Sequence, residues 1–340
     1  MEKFILVLGR DIELSLAELV SYLKKENTTF KILEQEGNII VIELDKKINI
    51  NKLGGLIKIA KVVDEEYLEN LDLNKDKVTY TVNDLELKDF LRDKFKQQKI
   101  KAFFKSEVKN LNSSSKLDLE LIKFGDYVSQ VISVSNPNEY KKRDELRPNF
   151  DAKKVISIRL AKILINLSQA KKEILDPFCG QGTILQESLL MGLNAYGLDL
   201  NTQEARENLS WLEKNFTFNA KYKVLQGDSR NLSKYFYNVE CCVTEPYLGP
   251  YFKKYPGYNE ALSVIKELEK LYIYLFQELN KVVRNKVVIL LPIIKTNIKK
   301  SLKVNINNLL KNTQFKVVKS PILYSHKGAI VEREIYILEK

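Results

Sequence analysis

The segment Ile174-Leu-Asp-Pro-Phe-Cys-Gly-Gln-Gly-Thr-Ile-Leu185 constrains this chain more than any other. It reads as a short buried strand, a tight loop with glycines at 180 and 182, and the opening of a helix. Backbone that passes close to a ligand needs glycine, because a Cβ would stand in the way. A helix starting directly after such a loop offers N–H groups to an anion. The same glycine pair also serves simple strand-to-helix packing, so its surroundings decide between the two. Apolar runs at 173–176, 195–199, 222–226, 239–244 and 286–291 read as strands with helical segments between them. Positions 155–167 have helical spacing, and 315–319 and 329–338 read as two more strands. Alternating strands and helices require a mostly parallel sheet covered on both faces. Ligands of such sheets bind beyond the carboxyl ends of the strands.

Acidic residues fall at those ends. Asp176 closes the first strand, immediately before the glycines. Asp199 closes the second, 23 positions later, where a carboxylate can accept bonds from ribose hydroxyls. Asp228 closes the third in Gln226-Gly-Asp-Ser229, placed to bond an exocyclic adenine amine. The fourth ends in Thr244-Glu-Pro-Tyr-Leu-Gly-Pro250. A single carboxylate at a strand end commonly caps the next helix. Four successive ends that together suit an adenosine and a reactive group are not explained by capping.

The remainder of the chain points to a polyanionic partner. Net charge is +11 over 340 residues. Residues 1–150 hold 26 of the 55 basic and 26 of the 44 acidic side chains, which leaves 29 against 18 for 151–340. Within the first part, 88–109 is a basic stripe of eight cations and three anions. Only nine of the 55 cations are arginine, so a lysine-inflating coding bias explains part of this excess. Residues 1–62 read as a small α+β segment: a strand at 4–8, a helix at 16–25 capped by Ser15, and strands at 31–33 and 38–44 around Gly37. A second unit at 63–135 has strands at 78–82, 102–104 and 130–134, a basic helix at 85–98, and a polar loop Leu111-Asn-Ser-Ser-Ser-Lys116 leading toward another helix. Segment 136–150, polar and twice interrupted by proline, reads as a linker to a domain at 151–340. No apolar run reaches the roughly 20 residues that cross a membrane. Met1–Gly9 is too short for a leader and reads as a strand. Three cysteines without metal-type spacing fit a reducing, cytoplasmic setting. Nothing in the sequence fixes an oligomeric state or demands more than a monomer.

Asp176-Pro-Phe-Cys-Gly-Gln-Gly-Thr183 resembles the cofactor loop of class I S-adenosylmethionine-dependent methyltransferases. More narrowly, the chain resembles the tRNA guanine-N2 methyltransferases that carry a THUMP domain. Arg147-Pro148 with the helix from Ile158 is similar to that family's entry into its catalytic domain. The segment Phe4–Glu18 is similar to its ferredoxin-like N-terminus, and 111–115 after a basic helix to a shortened THUMP core. The resemblance implies an α/β Rossmann-like methyltransferase domain with a mostly parallel seven-stranded sheet, preceded by a smaller α+β ferredoxin-like and THUMP-like region. It implies S-adenosyl-L-methionine as cofactor and RNA, tRNA above all, as partner. It places Asp176, Gly180 and Gly182 at the methionine end of the cofactor, with Phe178, Cys179 and Thr183 in the same loop. Asp199 would hold the ribose and Asp228 the adenine, with Leu200 and Ser229 also in the cofactor site.

The fourth strand end departs from the family. Amino-group methyltransferases usually carry Asp/Asn-Pro-Pro-Tyr/Phe there, and this chain has Thr244-Glu245-Pro246-Tyr247. Either glutamate replaces the first proline, or one residue is missing and Glu245 stands in for the acid. An aromatic amine is a poor nucleophile because its lone pair is conjugated. Acceptors that hold both amino hydrogens localise that pair toward the sulfonium methyl. Glu245, Pro246 and Tyr247 are therefore the expected catalytic residues, with Tyr247 stacking on the base. Two rival readings remain: methylation of an amino group on DNA, and RNA and cofactor binding with a decayed catalytic loop. His326, the only histidine, excludes a histidine-based triad and a His-rich metal site, and it suits a polar hairpin. Cys241 and Cys242 read as core. Tyr251, Phe252, Tyr255 and Tyr258, interleaved with Lys253 and Lys254, suit an extruded base and its phosphates or a packed loop.

Overall fold

Period-two burial organises the first 143 residues, which form one of two units; the other is Asp144–Lys340. The computed structural model describes residues 1–106, 117–151 and 155–340. β1 (Glu2–Leu8) sends Phe4, Leu6 and Leu8 into one apolar cluster and Ile5 into another across the sheet. It is followed by α1 (Ile12–Lys25), a hairpin of β2 (Phe30–Glu36) and β3 (Ile39–Leu44), and β4 (Leu56–Val63). Gly37 turns that hairpin with φ +55°, a left-handed value that favours glycine. Then come α2 (Glu65–Glu69), β5 (Lys77–Val82), α3 (Leu85–Gln97), β6 (Lys101–Phe104), β7 (Leu119–Phe124) and β8 (Tyr127–Val134). All eight strands share one sheet in the order β2-β3-β1-β4-β8-β7-β5-β6. The segments read from sequence as 1–62 and 63–135 are thus joined by antiparallel pairing of β4 with β8. The expected loop at 111–116, with the likeness that rests on it, lies outside the described residues. Where the sequence leads toward a further helix, the chain forms β7, parallel to β5.

Ser15 does not cap α1. The helix starts one turn earlier, with Asp11 at the N-cap position, and Ser15 is buried inside it. Gly55 explains the burial: a Cβ built there would lie 2.7 Å from Ser15 Oγ and 2.8 Å from Ser15 Cα. One turn on, the fully buried Glu18 accepts the N–H groups of Gly54 (2.8 Å) and Gly55 (2.6 Å). Its carboxylate therefore has partners inside the core, as a buried charge requires.

The second unit builds its sheet from the strand–helix alternation seen in the sequence. α4 (Pro137–Leu146) occupies much of the segment expected as a linker. α5 (Ile158–Ser168) begins later than the apolar pattern at 155, because Ser157 is its N-cap and accepts the Leu160 N–H (3.2 Å). There follow β9 (Glu173–Asp176), α6 (Thr183–Leu190), β10 (Asn194–Asp199), α7 (Gln203–Asn215), β11 (Tyr222–Gln226) and β12 (Cys241–Thr244). α8 (Tyr258–Val282), β13 (Lys286–Lys295), β14 (Ser301–Lys303), α9 (Ile306–Leu310), β15 (Lys316–Val317), β16 (Ile322–Tyr324) and β17 (Val331–Glu339) complete it. The sheet runs β11-β10-β9-β12-β13-β17-β15, the seven-strand path expected, with β14 added on β13 and β16 on β17. Strands β11 to β13 are parallel and β17 is antiparallel to β13. Leu268, Tyr272, Leu275, Phe276 and Leu279 of α8 pack as one face onto this sheet. No described helix is long and apolar enough to cross a membrane.

The Ser15–Gly55 approach yields a direct test of the first unit. Gly55→Ala forces a methyl against the backbone and side chain of Ser15 and is expected to cost about 1–3 kcal/mol, the range for an overpacked core. Chemical denaturation of the variant reads this as a lower midpoint with an unchanged slope.

Candidate active site

Strand order reverses between β9 and β12, and the loops leaving these two strands diverge there. A cleft of about 1150 Å³ opens in the second unit beyond the strand ends. Phe178, Asp199, Leu200, Asp228, Ser229, Glu245, Pro246 and Tyr247 all line it. The other expected residues, Asp176, Cys179, Gly180, Gly182 and Thr183, stand behind that lining.

Asp176 is buried, and its Oδ1 accepts the Thr244 hydroxyl (2.7 Å) and the Phe178 N–H (3.1 Å). Burial pushes its carboxyl up to about 7, against the pull of those two donors. Gly180 and Gly182 have φ of +47° and +81°. Their left-handed backbone, rather than crowding, demands glycine: a Cβ on Gly180 would meet nothing within 4 Å, and one on Gly182 only Ala205 at 3.5 Å. The Gly180 N–H donates to Asp199 Oδ2 (2.9 Å), which ties the loop to the next strand end. Asn201 N–H occupies Oδ1 (3.2 Å). A carboxylate has about four acceptor sites, so Asp199 keeps capacity for two hydroxyls. Leu200 beside it is 70% exposed, an open apolar surface on the cleft wall.

Two of the expected cofactor-loop side chains turn away from the cleft. Cys179 is buried with Leu185 and Leu189 in an apolar cluster, and its thiol abuts Gly197 of β10. Burial raises its pKa, so it is an inert packing group. Thr183 is buried and its hydroxyl accepts from Arg147 Nη1 (3.0 Å). Only the backbone of these two residues is left for a ligand. Asp228 keeps its capping role as well: it accepts the Arg230 N–H (2.9 Å) and pairs with the Arg230 guanidinium. That hydrogen-bonded arginine holds its carboxyl below the usual aspartate range.

Glu245 lies just past the end of β12 on the cleft wall. Thr244 ends β12 and spends its side chain on Asp176, so the carboxylate facing the cleft from this strand end belongs to Glu245. Arg333 of β17 donates from Nε to Glu245 Oε1 (2.5 Å), and both side chains line the cleft. Tyr247 is 56% exposed, while its carbonyl accepts the hydroxyl of the buried Tyr272 (2.6 Å). The hairpin turn after Tyr324 contributes Gly328, Ala329, Ile330 and Val331 to the rim. His326 sits in that turn, where its carbonyl accepts the Ala329 N–H. Among the described residues no group of acids, histidines and cysteines could hold a metal ion.

Sequence reasoning missed Arg333, which is 88 positions from Glu245 with no local signal. It also missed how residues 147–151 brace the glycine loop. Asn208 Nδ2 donates to the carbonyls of both Asn149 and Gln181 (2.9 Å each), and Asp151 N–H donates to Gln181 Oε1 (3.1 Å). The Arg147-Pro148 pair marked the segment, but its role depends on partners 30–59 positions downstream.

Residues 147–246, from the bracing segment through Pro246, match a family described as RMKL-like, methyltransferase domain. The tRNA (guanine(10)-N2)-dimethyltransferase of Methanothermobacter thermautotrophicus is 27% identical over 275 residues, 73% of this chain and 78% of that protein. The enzyme of the same name from Pyrococcus abyssi is 28% identical over 160 residues, 45% of this chain and 44% of its own length. TrmN from Thermus thermophilus shares the fold, with a TM-score of 0.52 and 14% identity over 99% of both chains. Open backbone at Gly180, spare acceptor capacity on Asp199 and a roomy cleft beside them fit an adenosine-bearing cofactor. The second unit carries an S-adenosylmethionine-dependent methyltransferase domain, and its residues 147–246 are similar to the RMKL-like family.

Proposed function

We propose that this protein methylates the exocyclic N2 amine of a guanine in tRNA, with S-adenosyl-L-methionine as donor. The observation that carries this reading is Glu245: a carboxylate held by Arg333 in the same cleft as Asp199, Asp228 and Tyr247. The curated relatives are named as tRNA enzymes, which favours RNA over DNA as substrate.

The bound cofactor supplies a methyl on a sulfonium, a group open to in-line attack. Asp199 would hold the ribose side and Asp228 the adenine side, with Leu200 and Ser229 beside them, and the backbone at Gly180 and Gly182 would take the methionine end. Asp176 keeps the two loops together. Tyr247 stacks on the guanine and presents its amine to Glu245. Glu245 and a neighbouring backbone carbonyl accept the two amino hydrogens, which draws the nitrogen lone pair out of conjugation. Glu245 or water would take the proton that the amine nitrogen sheds on methylation. Positioning and exclusion of water supply most of the acceleration. The first unit, with its basic helix α3, grips the folded tRNA in the manner of a THUMP-like region, in a reducing compartment such as the cytoplasm.

Incubation with unmodified tRNA transcript and labelled cofactor, followed by nucleoside mass spectrometry, is expected to yield N2-methylguanosine. Cofactor binding without any methylated nucleoside would sink the transfer reading. Glu245→Ala should lower kcat by about 100-fold, the low end for a positioned proton acceptor, with cofactor affinity within about twofold of wild type. Arg333→Met should lower kcat in the same direction but less, because the carboxylate is then present and unaimed.

Asp176 gives a pH signature. Its folded pKa, about 7, lies above the ordinary aspartate value. The stability this group contributes is therefore present in acid and lost as pH rises from about 4 to about 7. Asp176→Asn retains an oxygen for Thr244 and Phe178 and cannot ionise. Across that window its melting temperature should fall less than that of wild type, as read by thermal denaturation at a series of pH values.

A further inference from the structure

The loop after β12 carries more aromatic surface than the proposed transfer uses. Tyr247, Tyr251, Tyr255 and Tyr258 fall within 12 residues, and the Tyr251 ring is 83% exposed. Lys253 and Lys254 lie exposed between them, and Lys300 Nζ sits 5.9 Å from the Tyr258 ring centroid. The backbone beneath is held at several points. Tyr272 bonds the Tyr247 carbonyl, Asn297 N–H donates to the Pro256 carbonyl (3.0 Å), and Phe252 packs on the core. Gly249 has φ +104° and lies so close to α8 that a Cβ would meet Val264 Cγ1 at 3.0 Å. A fixed backbone that aims tyrosine rings at solvent stabilises no core. Rigid rings with two torsions each lose little entropy on binding.

We propose that this loop is a stacking platform for unpaired RNA: Tyr251 and Tyr255 take the bases next to the target nucleotide, and Lys253, Lys254 and Lys300 face their phosphates. The proposal rests on the reading of RNA as substrate. Tyr251, Phe252 and Lys253 line the same cleft as Glu245 and Tyr247, so the platform is continuous with the proposed transfer site. The basic excess of the chain lies entirely in residues 151–340, which matches a phosphate chain. Base faces are available only where a strand is splayed out, since stacked duplex hides them.

The test uses the full-length protein, a short oligoadenylate as probe and unmodified tRNA transcript as substrate. Wild type should bind single-stranded oligoadenylate more tightly than oligouridylate, because purines stack better, and more tightly than duplex RNA of equal length. The double variant Tyr251→Ala/Tyr255→Ala should weaken oligoadenylate binding about tenfold or more and raise KM for tRNA, with cofactor affinity unchanged. Tyr251→Phe/Tyr255→Phe should behave as wild type, since the ring and not the hydroxyl carries the contact. Wild-type affinity in the alanine variant overturns the platform, as does equal weakening in the phenylalanine variant or a preference for duplex. If no RNA is methylated yet this binding pattern holds, the transfer reading fails and the platform stands.

Discussion

One hydrogen bond holds the site together: the Thr244 hydroxyl donating to the buried carboxyl of Asp176. It joins the last residues of β9 and β12, neighbours at the point where strand order reverses. On the β9 side, contacts run from Asp176 through Phe178 and the glycine turn to Asp199. On the β12 side, contacts run from Thr244 through Glu245 and Tyr247 to β17 and α8. A hydroxyl in this place also suits the charge state. Burial holds Asp176 up to about 7, so the carboxyl is not committed to carrying full charge in a dry site.

The other carboxylates are settled by different means. Asp199 is held by backbone N–H groups, Asp228 by the guanidinium of Arg230, and Glu245 by that of Arg333. Four acids within one region would repel one another and any anionic substrate if left alone. Each has its own local compensation, so the cleft keeps acceptors without becoming a uniformly negative hole.

The parallel half of the second unit was readable because buried strands, glycine turns and amphipathic helices are written in short windows. The strands at 173–176 and 222–226 matched to the residue. Features set by distant partners were not readable. Ser15 looked like a cap by type, yet contact with Gly55 puts it inside the helix. Cys179 and Thr183 sat in the right loop, yet the core and Arg147 take their side chains. Glu245 looked like a damaged motif, and only β17 supplies the arginine that gives it a fixed direction. β4 and β7 escaped notice because their neighbours, not their own composition, make them central in the first sheet.

The two halves of the cleft differ in how far along the chain their contacts reach. Gly180 and Asp199 are 19 residues apart, and Glu245 and Arg333 are 88. Closing the longer loop costs about 1 kcal/mol more in chain entropy by simple scaling, and contacts of large separation form late. The tie between the glycine turn and Asp199 is written in one short stretch, and the pairing of Glu245 with Arg333 is spread across the fold.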